Sequence, residues 1–590
     1  MCGIVYKSSF YTPTNEQLFI KSVNKLIARG PDDYGYLFNK YHSFGHRRLA
    51  VRDVLNSKQP MSILNNHLIY NGEIYNVEEL KGMLNEPLEF KSDTLLLLKL
   101  LNKYKESILN KINGIFSFVY THDDEVLIVR DMFGVKPLYY SFIDKDIIVA
   151  SEIKAILEYT DNRFIDDEGL CELIGMGPSH SPGKTIYKGI YELKPGHLMK
   201  FNKDGYVIEE YYKLPVYHHD LSYNDTVKLV KELLDKAIVN QMVSDVGLAS
   251  FLSGGLDSTI VSTVISNNQD CLDTYSINYL NSKFKPNDFE KSLDSDYTSL
   301  VSAHIFSHQN DIYIDDDTLI EGLKKVVHLK DGPTMTDIDS SLLYLCDKIS
   351  DKHKLALSGE CADEVFAGYP WFKNTKVYDN FPWIRNIELK ENLLNDKFKK
   401  RLNLKKYVEN EYNKAINEAP TLKDDSIDDE RKLSYLNIRY FMLNLLDRKD
   451  RISSGCSLEV RVPFCDKDLV EVLYNVPLKF KNKDGIEKKL LRDAYKDDVL
   501  IDVINRTKSP YPKSNSEIYD KKVKDLLNEV LKDKNSILYK LFDIDKIKEL
   551  LDSNEEIEPW YGQLMRKTAL FAYLYQIDYW FKEYNMRLEE

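Results

Sequence analysis

The sequence has few cysteines, no long apolar run and no excess of positive charge. Its 590 residues include 7 widely spread cysteines without a CxxC pair, so neither a disulfide framework nor a zinc site is predicted. The balance of 80 basic and 93 acidic residues gives a net charge of −13, which argues against nucleic acid and acidic membranes as partners. The most apolar late stretch, residues 569–575, is far shorter than the ~20 residues of a membrane-spanning helix. With no signal peptide at its start, the sequence predicts a soluble, cytoplasmic protein of two or more domains.

A segment rich in glycine and serine, residues 253–258, lies between an apolar run and a helical pattern. A strand, a turn of small residues and a helix in that order would direct backbone N–H groups and a helix N-terminus at a phosphate. Asp257 would repel this phosphate unless a cation lay between them, which suggests Mg²⁺. An ordinary turn before a helix is the simpler alternative. The segment resembles the pyrophosphate loop of enzymes that cleave ATP between its α and β phosphates, and it is not a Walker A loop.

Cys2 follows only the initiator methionine, and removal of that methionine would leave Cys2 with a free α-amine. The amine has an ordinary pKa of about 7.7–8.0, so it can accept the thiol proton at neutral pH. A residue of this kind is both nucleophile and base. A cysteine at position 2 usually has no such role, so its meaning depends on the residues that follow.

Several short motifs follow Cys2. They are residues 29–33 (RGPDD), 45–51 (GHRRLAV), 68–76 (LIYNGEIYN) and 91–94 (KSDT). An Asn-Gly pair between apolar runs, as at Asn71 and Gly72, is by itself most often a hairpin turn. Together with Cys2, however, these motifs resemble those of the class II glutamine amidotransferases. Residues 130–140 and 150–154 match the same family and are interpreted as scaffold and domain contacts.

The resemblance implies a division of roles in which Cys2 attacks the side-chain amide of glutamine. The Asn71 side chain and the Gly72 backbone N–H would form the oxyanion hole. The residues implied to bind glutamine are Arg48, Asn71, Gly72, Glu73 and Asp93. In this set the arginine pairs with the substrate's α-carboxylate and the two acids hold its α-ammonium, so the residue types suit a zwitterionic amino acid.

The pattern of apolar residues changes near residues 203–222, which marks the predicted domain boundary. Before it, short alternating segments predict an α+β N-terminal nucleophile domain over residues 2–210, with stacked antiparallel sheets between helices. After it, strand candidates alternate with helical patterns, which predicts an α/β doubly wound parallel sheet with a helical C-terminal part over residues 222–590. The strand candidates are residues 247–252, 272–277, 311–314 and 354–357.

The last of these strand candidates leads into a second acidic loop, residues 358–369 (SGECADEVFAGY). Further motifs follow at residues 446–451, 457–466, 486–492 and 506–512. Together with residues 253–258 they resemble the glutamine-hydrolysing asparagine synthetases, and the resemblance extends from Cys2 to about Lys513. It implies that ATP and L-aspartate react to give β-aspartyl-AMP and diphosphate. Ammonia freed from L-glutamine at Cys2 would then travel inside the protein and displace AMP.

The same resemblance implies specific roles in the second domain. Asp257 and Asp363 would hold Mg²⁺, Lys488 would neutralise charge on the breaking phosphate bond, and Glu360 would deprotonate the attacking ammonia. The residues implied to bind ATP are Leu252, Ser253, Gly254, Gly255, Asp257, Ser258, Ile277, Ser358 and Gly359.

The sequence departs from the common family pattern at Leu95, Cys361 and Arg451, among other positions, without losing a catalytic group. Amidation of another carboxylic acid, such as a peptide or a sugar acid, therefore remains an alternative, as does a degenerate binding module. Ring-closing relatives are disfavoured because they need no ammonia and tend to lose the N-terminal cysteine. A homodimer is an open possibility.

Overall fold

The computed structural model describes residues 1–84, 92–281, 294–373, 378–423, 425–508, 511 and 514–589. In the N-terminal third, alternating apolar residues form two six-stranded sheets, ordered β11-β8-β9-β1-β3-β2 and β13-β12-β7-β6-β5-β4, whose neighbouring strands are antiparallel. The strands of this part are β1 (Gly3–Ser8), β2 (Asp33–Phe38), β3 (His42–Arg48), β4 (Met61–Ile63), β5 (Asn66–Ile74), β6 (Gly114–His122), β7 (Glu125–Arg130), β8 (Tyr139–Ile143), β9 (Asp146–Ala150), β10 (Phe164–Ile165), β11 (Ile190–Glu192), β12 (His197–Asn202) and β13 (Gly205–Glu210). Of these, β10 belongs to neither six-stranded sheet.

The two sheets face each other across a shared core. Ile4 and Tyr6 of the first sheet belong to the same buried cluster as Ile69 and Val119 of the second. Helices cover the outer faces, and the α+β prediction of stacked antiparallel sheets between helices is confirmed. The helices of this part are α1 (Glu16–Asn24), α2 (Val77–Leu84), α3 (Asp93–Tyr104), α4 (Ile153–Thr160) and α5 (Asp167–Leu170).

The Asn-Gly pair does not form a hairpin, so that simpler interpretation of residues 71–72 is wrong. Asn71 and Gly72 lie inside β5, which pairs with β6 along nearly its whole length and places them opposite Ser117 and Phe116. Long-range pairing overrides the local turn preference here. Lys91, the first residue of the KSDT motif, lies outside the described residues.

The C-terminal part contains a five-stranded parallel sheet in the order β16-β15-β14-β17-β18. Its strands are β14 (Leu248–Phe251), β15 (Asp273–Tyr279), β16 (His308–Ile314), β17 (Leu355–Leu357) and β18 (Glu459–Arg461). The first four overlap the predicted strands, and the doubly wound prediction is confirmed. The fifth was not predicted. A further short strand, β19 (Arg587–Leu588), pairs with β10 and returns the chain to the N-terminal part.

Helices make up most of the remaining C-terminal part. They are α6 (Tyr223–Gln241), α7 (Leu256–Ser266), α8 (Asp294–His304), α9 (Asp316–Lys330), α10 (Asp337–Ser350), α11 (Ala362–Val365), α12 (Ile387–Leu393), α13 (Asp396–Leu402), α14 (Leu404–Glu418), α15 (Asp428–Leu436), α16 (Met442–Gly455), α17 (Lys467–Asn475), α18 (Leu478–Lys481), α19 (Lys489–Ala494), α20 (Ile501–Asn505), α21 (Glu517–Val530), α22 (Ile537–Leu541), α23 (Ile544–Asp552) and α24 (Lys567–Glu583). None of the helices in the described part of the chain has the length and apolar composition that a bilayer span requires.

Helix α16 joins the two parts of the molecule. Its charged run, residues 447–451, is buried rather than solvated. Asp450 pairs with Arg29 at 2.8 Å and with Lys136 at 3.2 Å, both from the N-terminal part. Buried charges require such partners, so these pairs fix how α16 packs against the N-terminal sheets.

Candidate active sites

The predicted nucleophile lies beside an unsatisfied amide. Cys2 immediately precedes β1, and its backbone N–H donates to Asn71 Oδ1 at 2.9 Å. Asn71 is fully buried, and its Nδ2 group has no hydrogen-bond partner among the described residues. Unpaired N–H groups beside a thiol can stabilise an oxyanion that forms there. Gly72, the next residue, has no room for a side chain, because a Cβ would lie 2.2 Å from the Ile115 carbonyl oxygen.

The environment of Cys2 keeps its thiol protonated. Burial raises the pKa of the Cys2 thiol, so the sulfur needs a base before it can attack. Met1 is attached in the structure, and its α-ammonium donates to Glu459 Oε2 at 2.9 Å. Arg29 Nε donates to the Cys2 carbonyl at 2.9 Å and holds this turn of the chain in place. Removal of Met1 would free the Cys2 amine to act as the base and would leave Glu459 paired with Arg461, whose Nε lies 2.8 Å from Glu459 Oε1.

Arg48 presents a buried cation near this nucleophile. It ends β3 and is 5% exposed. Its Nη1 donates to the Val54 carbonyl at 2.8 Å, and its Nη2 donates to the carbonyls of Asp53 at 2.8 Å and Arg52 at 3.3 Å. These neutral acceptors orient the guanidinium without cancelling its charge. A substrate carboxylate is the partner that such a group would bind most strongly.

Glu73 and Asp93, the two predicted acids, are buried neighbours on β5 and α3. Asp93 Oδ2 accepts from the Tyr70 hydroxyl at 3.0 Å. Glu73 lies 3.2 Å from Arg461 Nη2 and 3.8 Å from Arg52 Nη1. Burial raises the pKa of Glu73 to about 8 despite Arg461, and burial also raises the pKa of Asp93. Two carboxylates that are penalised by burial would gain from a bound ammonium group.

The second predicted site lies at the carboxyl ends of the parallel strands. After β14 the chain turns through residues 252–255 into α7. Gly254 has φ of +67°, and a Cβ there would lie 2.5 Å from the Tyr297 Cβ, so this turn requires glycine. The turn opens on a cavity of about 230 Å³. The sequence-predicted residues that line this cavity are Leu252, Ser253, Gly255, Asp257, Ser258, Ile277, Ser358, Gly359, Glu360, Asp363 and Lys488. Gly254 shapes the turn but does not line the cavity.

Two carboxylates from neighbouring strand ends converge on one cation. Lys488 Nζ lies 2.7 Å from Asp257 Oδ2 and 2.6 Å from Asp363 Oδ1. Lys508 Nζ lies 3.0 Å from Asp363 Oδ2. Burial outweighs Lys488 at Asp257 and raises the pKa of that carboxyl. Burial acts in the same direction at Asp363, but Lys488 and Lys508 together lower its pKa to about 2.

This pair of carboxylates fits a magnesium ion that also binds phosphate. Within the described ranges, no three His, Cys, Asp or Glu side chains come together to hold a metal ion by themselves. Mg²⁺, however, prefers oxygen ligands and commonly takes one or two carboxylates together with water and substrate phosphates. Asp257 and Asp363 already converge on a cation, the Lys488 ammonium, so their donor set and placement suit this arrangement.

Glu360 lies between two cations on α16. Its Oε1 is 3.3 Å from Arg448 Nη1 and its Oε2 is 2.9 Å from Lys449 Nζ. Arg448 is itself anchored, because its Nε donates to Asp339 Oδ1 at 2.7 Å. Glu360 lines both the cavity at the glycine-rich turn and an adjoining cavity of about 180 Å³. The Glu360 side chain therefore lies at the junction of the two cavities.

The sequence analysis gave no role to several basic residues of the cavity at the glycine-rich turn. Lys449, Arg492, Arg506 and Lys508 all line it. Lys449 Nζ lies 4.6 Å from the centre of the Phe251 ring, and Arg506 stacks on Tyr297 at 4.1 Å. They fall in the motifs at residues 446–451, 486–492 and 506–512, and the concentration of positive charge in these three motifs was the available signal. Residues 509, 510 and 512 of the last motif lie outside the described residues.

Comparison with known proteins gives the same two-part division of chemistry. Residues 1–212 match the family model of the glutamine amidotransferase domain, and residues 229–582 match that of asparagine synthase. Glutamine-hydrolysing asparagine synthetase 3 of Bacillus subtilis is 39% identical over 100% of both chains. Asparagine synthetase 1 of the same organism is 30% identical over 87% of both chains, and its asparagine synthetase 2 is 26% identical over 84% of this chain and 68% of its own. The chain therefore belongs to the family of glutamine-hydrolysing asparagine synthetases.

Proposed function

We propose that this enzyme converts ATP, L-aspartate, L-glutamine and water into AMP, diphosphate, L-asparagine and L-glutamate. The observation that carries the proposal is that one chain contains both halves of the chemistry. Cys2 lies beside the unpaired amide of Asn71, and a separate cavity gathers the glycine-rich turn, two carboxylates and Lys488. We further propose residues 2–210 and 222–590 as the two domains that carry these halves.

In the first half-reaction, Cys2 releases ammonia from glutamine. Once Met1 is removed, the freed α-amine takes the thiol proton and the sulfur attacks the side-chain amide carbon. The Asn71 side chain and the Gly72 N–H stabilise the oxyanion of the tetrahedral intermediate. The Cys2 α-ammonium returns the thiol proton to the leaving nitrogen, so collapse expels ammonia and leaves a thioester. Water then hydrolyses the thioester to glutamate and regenerates the thiol.

Glutamine is bound by side chains whose charges are opposite in sign to those of its α-carboxylate and α-ammonium groups. The buried Arg48 guanidinium, oriented by three carbonyl oxygens, binds the α-carboxylate. Glu73 and Asp93 bind the α-ammonium, which compensates the cost of keeping two carboxylates buried together. This set selects an amino acid with free α-groups over a glutamine residue inside a peptide.

In the second half-reaction, the aspartate side-chain carboxylate attacks the α-phosphorus of ATP and diphosphate leaves. Backbone N–H groups of the glycine-rich turn and the serines 253 and 258 cradle the diphosphate. Mg²⁺ bound by Asp257 and Asp363 would neutralise phosphate charge. The Lys488 ammonium then stabilises the charge that develops as the bond between the α and β phosphates breaks.

Ammonia completes the reaction by displacing AMP from the β-aspartyl-AMP carbonyl. Its lone pair forms the C–N bond, and the extra proton passes to the Glu360 carboxylate while AMP leaves. Transfer of ammonia inside the protein protects its nucleophilicity, because most free ammonia is protonated at neutral pH. Glu360 borders both cavities, and this position supports its proposed role as the base.

The test separates the two half-reactions in the full-length enzyme. With ATP, MgCl₂, aspartate and ¹⁵N-amide glutamine, mass spectrometry should detect ¹⁵N-asparagine together with AMP and diphosphate. Cys2→Ala should abolish glutamine use and retain synthesis with ammonium salt. Cys456→Ala, at a half-buried cysteine outside both sites, is the matched control and should keep both activities. Formation of ADP, or an amide of an acid other than aspartate, would contradict the proposal.

A further inference from the structure

The short strand β18 carries two charged side chains towards the N-terminal sheets. Glu459 and Arg461 are 3% and 0% exposed. Residues two apart in a strand point to the same face, so both lie on the side opposite to Val460. Charged residues are rarely buried without partners. Glu459 and Arg461 pair with each other, and each also has a partner from the N-terminal part: the Met1 α-ammonium for Glu459 and Glu73 for Arg461.

Arg461 is fixed by hydrogen bonds on several sides. Its Nε donates to Glu459 Oε1 at 2.8 Å, and its Nη1 donates to the carbonyls of Gln241 and Val243, each at 2.7 Å. These bonds set the plane of the guanidinium and leave Nη2 3.2 Å from Glu73 Oε1. A residue of the synthetase sheet therefore reaches the predicted glutamine site.

Glu73 depends on this contact more than on its other cation. Arg52 lies 3.8 Å away and is 14% exposed, whereas Arg461 is closer and almost completely buried. An ion pair is stronger when water is excluded and the donor geometry is fixed. Without Arg461, Glu73 would be a buried carboxylate beside Asp93, with the more distant Arg52 as its cation.

We propose that Arg461 is a positioning residue for glutamine, supplied by the synthetase part of the chain to hold the Glu73 carboxylate where the substrate's α-ammonium binds. The inference rests on the proposed function, because it takes Glu73 as a ligand of that ammonium. Arg461 acts through Glu73 and does not touch the reacting amide. The glutamine site is thus complete only when β18 is docked against β5.

The proposal predicts a particular dependence on pH. Glu73 binds an ammonium group only as a carboxylate, and its pKa is raised to about 8 by burial, with Arg461 acting in the opposite direction. Loss of Arg461 would raise that pKa further, so glutamine binding would need a higher pH. The charged and titratable groups that face Glu73 are Arg461 and Glu459 on β18, Arg52 after β3, Asp93 on α3, and Tyr70 and Tyr75 on or next to β5.

The experiment compares Arg461→Met and Arg461→Lys with the control Arg439→Met in the full chain. Arg439 is also buried and also bonds across to the N-terminal part, donating to the Met132 carbonyl at 2.6 Å. Among the described residues, its hydrogen bonds go to the Met132, Pro195 and Tyr212 carbonyls and to no residue of the proposed glutamine site. For Arg461→Met we expect KM for glutamine to rise about tenfold or more at pH 7.5. The kcat should stay within about threefold, because the thiol and the oxyanion hole are unchanged.

Three further measurements test the proposal. Ammonium-dependent synthesis should stay near the wild-type rate, the KM defect should shrink at pH 8.5, where most of the glutamine still carries its α-ammonium, and Arg461→Lys should show a smaller defect because it keeps the charge. An unchanged KM for glutamine in a folded Arg461→Met enzyme would overturn the proposal, as would an equal KM defect in Arg439→Met. If Arg461→Met does not fold, Arg461→Lys decides in the same way. A wild-type enzyme without glutaminase activity would instead contradict the proposed function.

Discussion

Replacing Lys488 by methionine tests the electrostatics of the nucleotide site most directly. The substitution keeps most of the apolar stem and removes the ammonium that lies 2.7 Å from Asp257 and 2.6 Å from Asp363. Asp363 retains Lys508 at 3.0 Å, whereas no other lysine or arginine lies within ion-pair distance of Asp257 in the described part of the chain. The variant therefore leaves two partly buried carboxylates side by side with too little positive charge.

The size of the effect follows from the burial of the three groups. Breaking a fully buried ion pair costs about 3–5 kcal/mol. Both carboxylates here are 21% exposed, so water reduces the cost and we expect about 2–3 kcal/mol at pH 7.5. The control is Lys532→Met at an exposed pair with Glu529, which should change stability by less than about 1 kcal/mol.

The dependence of stability on pH has a definite sign. In the wild type, the pKa of Asp363 is lowered to about 2, so its stabilising contribution is present above its ordinary range near 4 and is lost as pH falls towards 2. In Lys488→Met, repulsion and burial raise the pKa of the carboxylate pair, so its destabilisation grows as pH rises. The melting temperature of the variant should therefore lie closer to that of the wild type at pH 4.5 than at pH 7.5.

Magnesium provides the decisive assay. Thermal unfolding with and without 10 mM MgCl₂ should show a larger gain for Lys488→Met, because the cation can replace the missing ammonium between the carboxylates. A Kd of about 1 mM would give a gain of roughly 1.4 kcal/mol. AMP formation should fall by about 10²–10³-fold, since the substitution removes the group that is proposed to stabilise the transition state. A melting temperature equal to that of the wild type at both pH values, or a difference independent of pH, would refute this reasoning.

Three other substitutions test separate parts of the structure. Asn71→Ala should lower kcat of glutamine hydrolysis by about 10²–10³-fold with little change in KM, because it removes the unpaired N–H donor; steady-state kinetics measure this, and a change confined to KM would count against it. Glu360→Gln should keep ATP–diphosphate exchange with aspartate but lose most amide formation; equal loss of both would assign Glu360 to nucleotide binding instead. Glu192→Gln should lower the free energy of unfolding by about 3 kcal/mol at pH 7 and by much less near pH 3, as measured by thermal unfolding. The reason is that Arg130, 2.6 Å from Glu192, and His180 together outweigh burial and lower the pKa of Glu192 to about 2.

Much of the fold could be predicted because its elements carry local signals. The strands predicted over residues 247–252 and 272–277 are observed as β14 and β15. Periodicity reveals such elements because each buries one face or both. The glycine-rich turn could also be predicted from the sequence. Gly254 adopts a backbone conformation that other residues rarely adopt, so the turn requires a glycine at this position.

Other features depend on contacts that no local pattern contains. Residues 447–451 of α16 have the composition of a solvated helix, yet all five are buried because partners from distant segments neutralise them. Asn71 and Gly72 have the composition of a turn, yet they lie inside β5 because β6 pairs with it. The division of the chain at 2–210 and 222–590, and the role of each predicted site residue, stay predictions.

The strand β18 shows why the two sites cannot be separated at the domain boundary. Three residues, Glu-Val-Arg, are too short and too charged to predict a buried strand, so pairing with β17 alone defines it. Leu357, opposite Arg461 in that pairing, is followed by Ser358, whose N–H donates to the Arg461 carbonyl at 3.0 Å. The backbone of Arg461 thus supports the nucleotide loop while its side chain holds Glu73. A slip of one residue in this pairing would turn the guanidinium to the opposite face, so the register that shapes the cavity at the glycine-rich turn also sets the contact with Glu73 on which the proposed glutamine site depends.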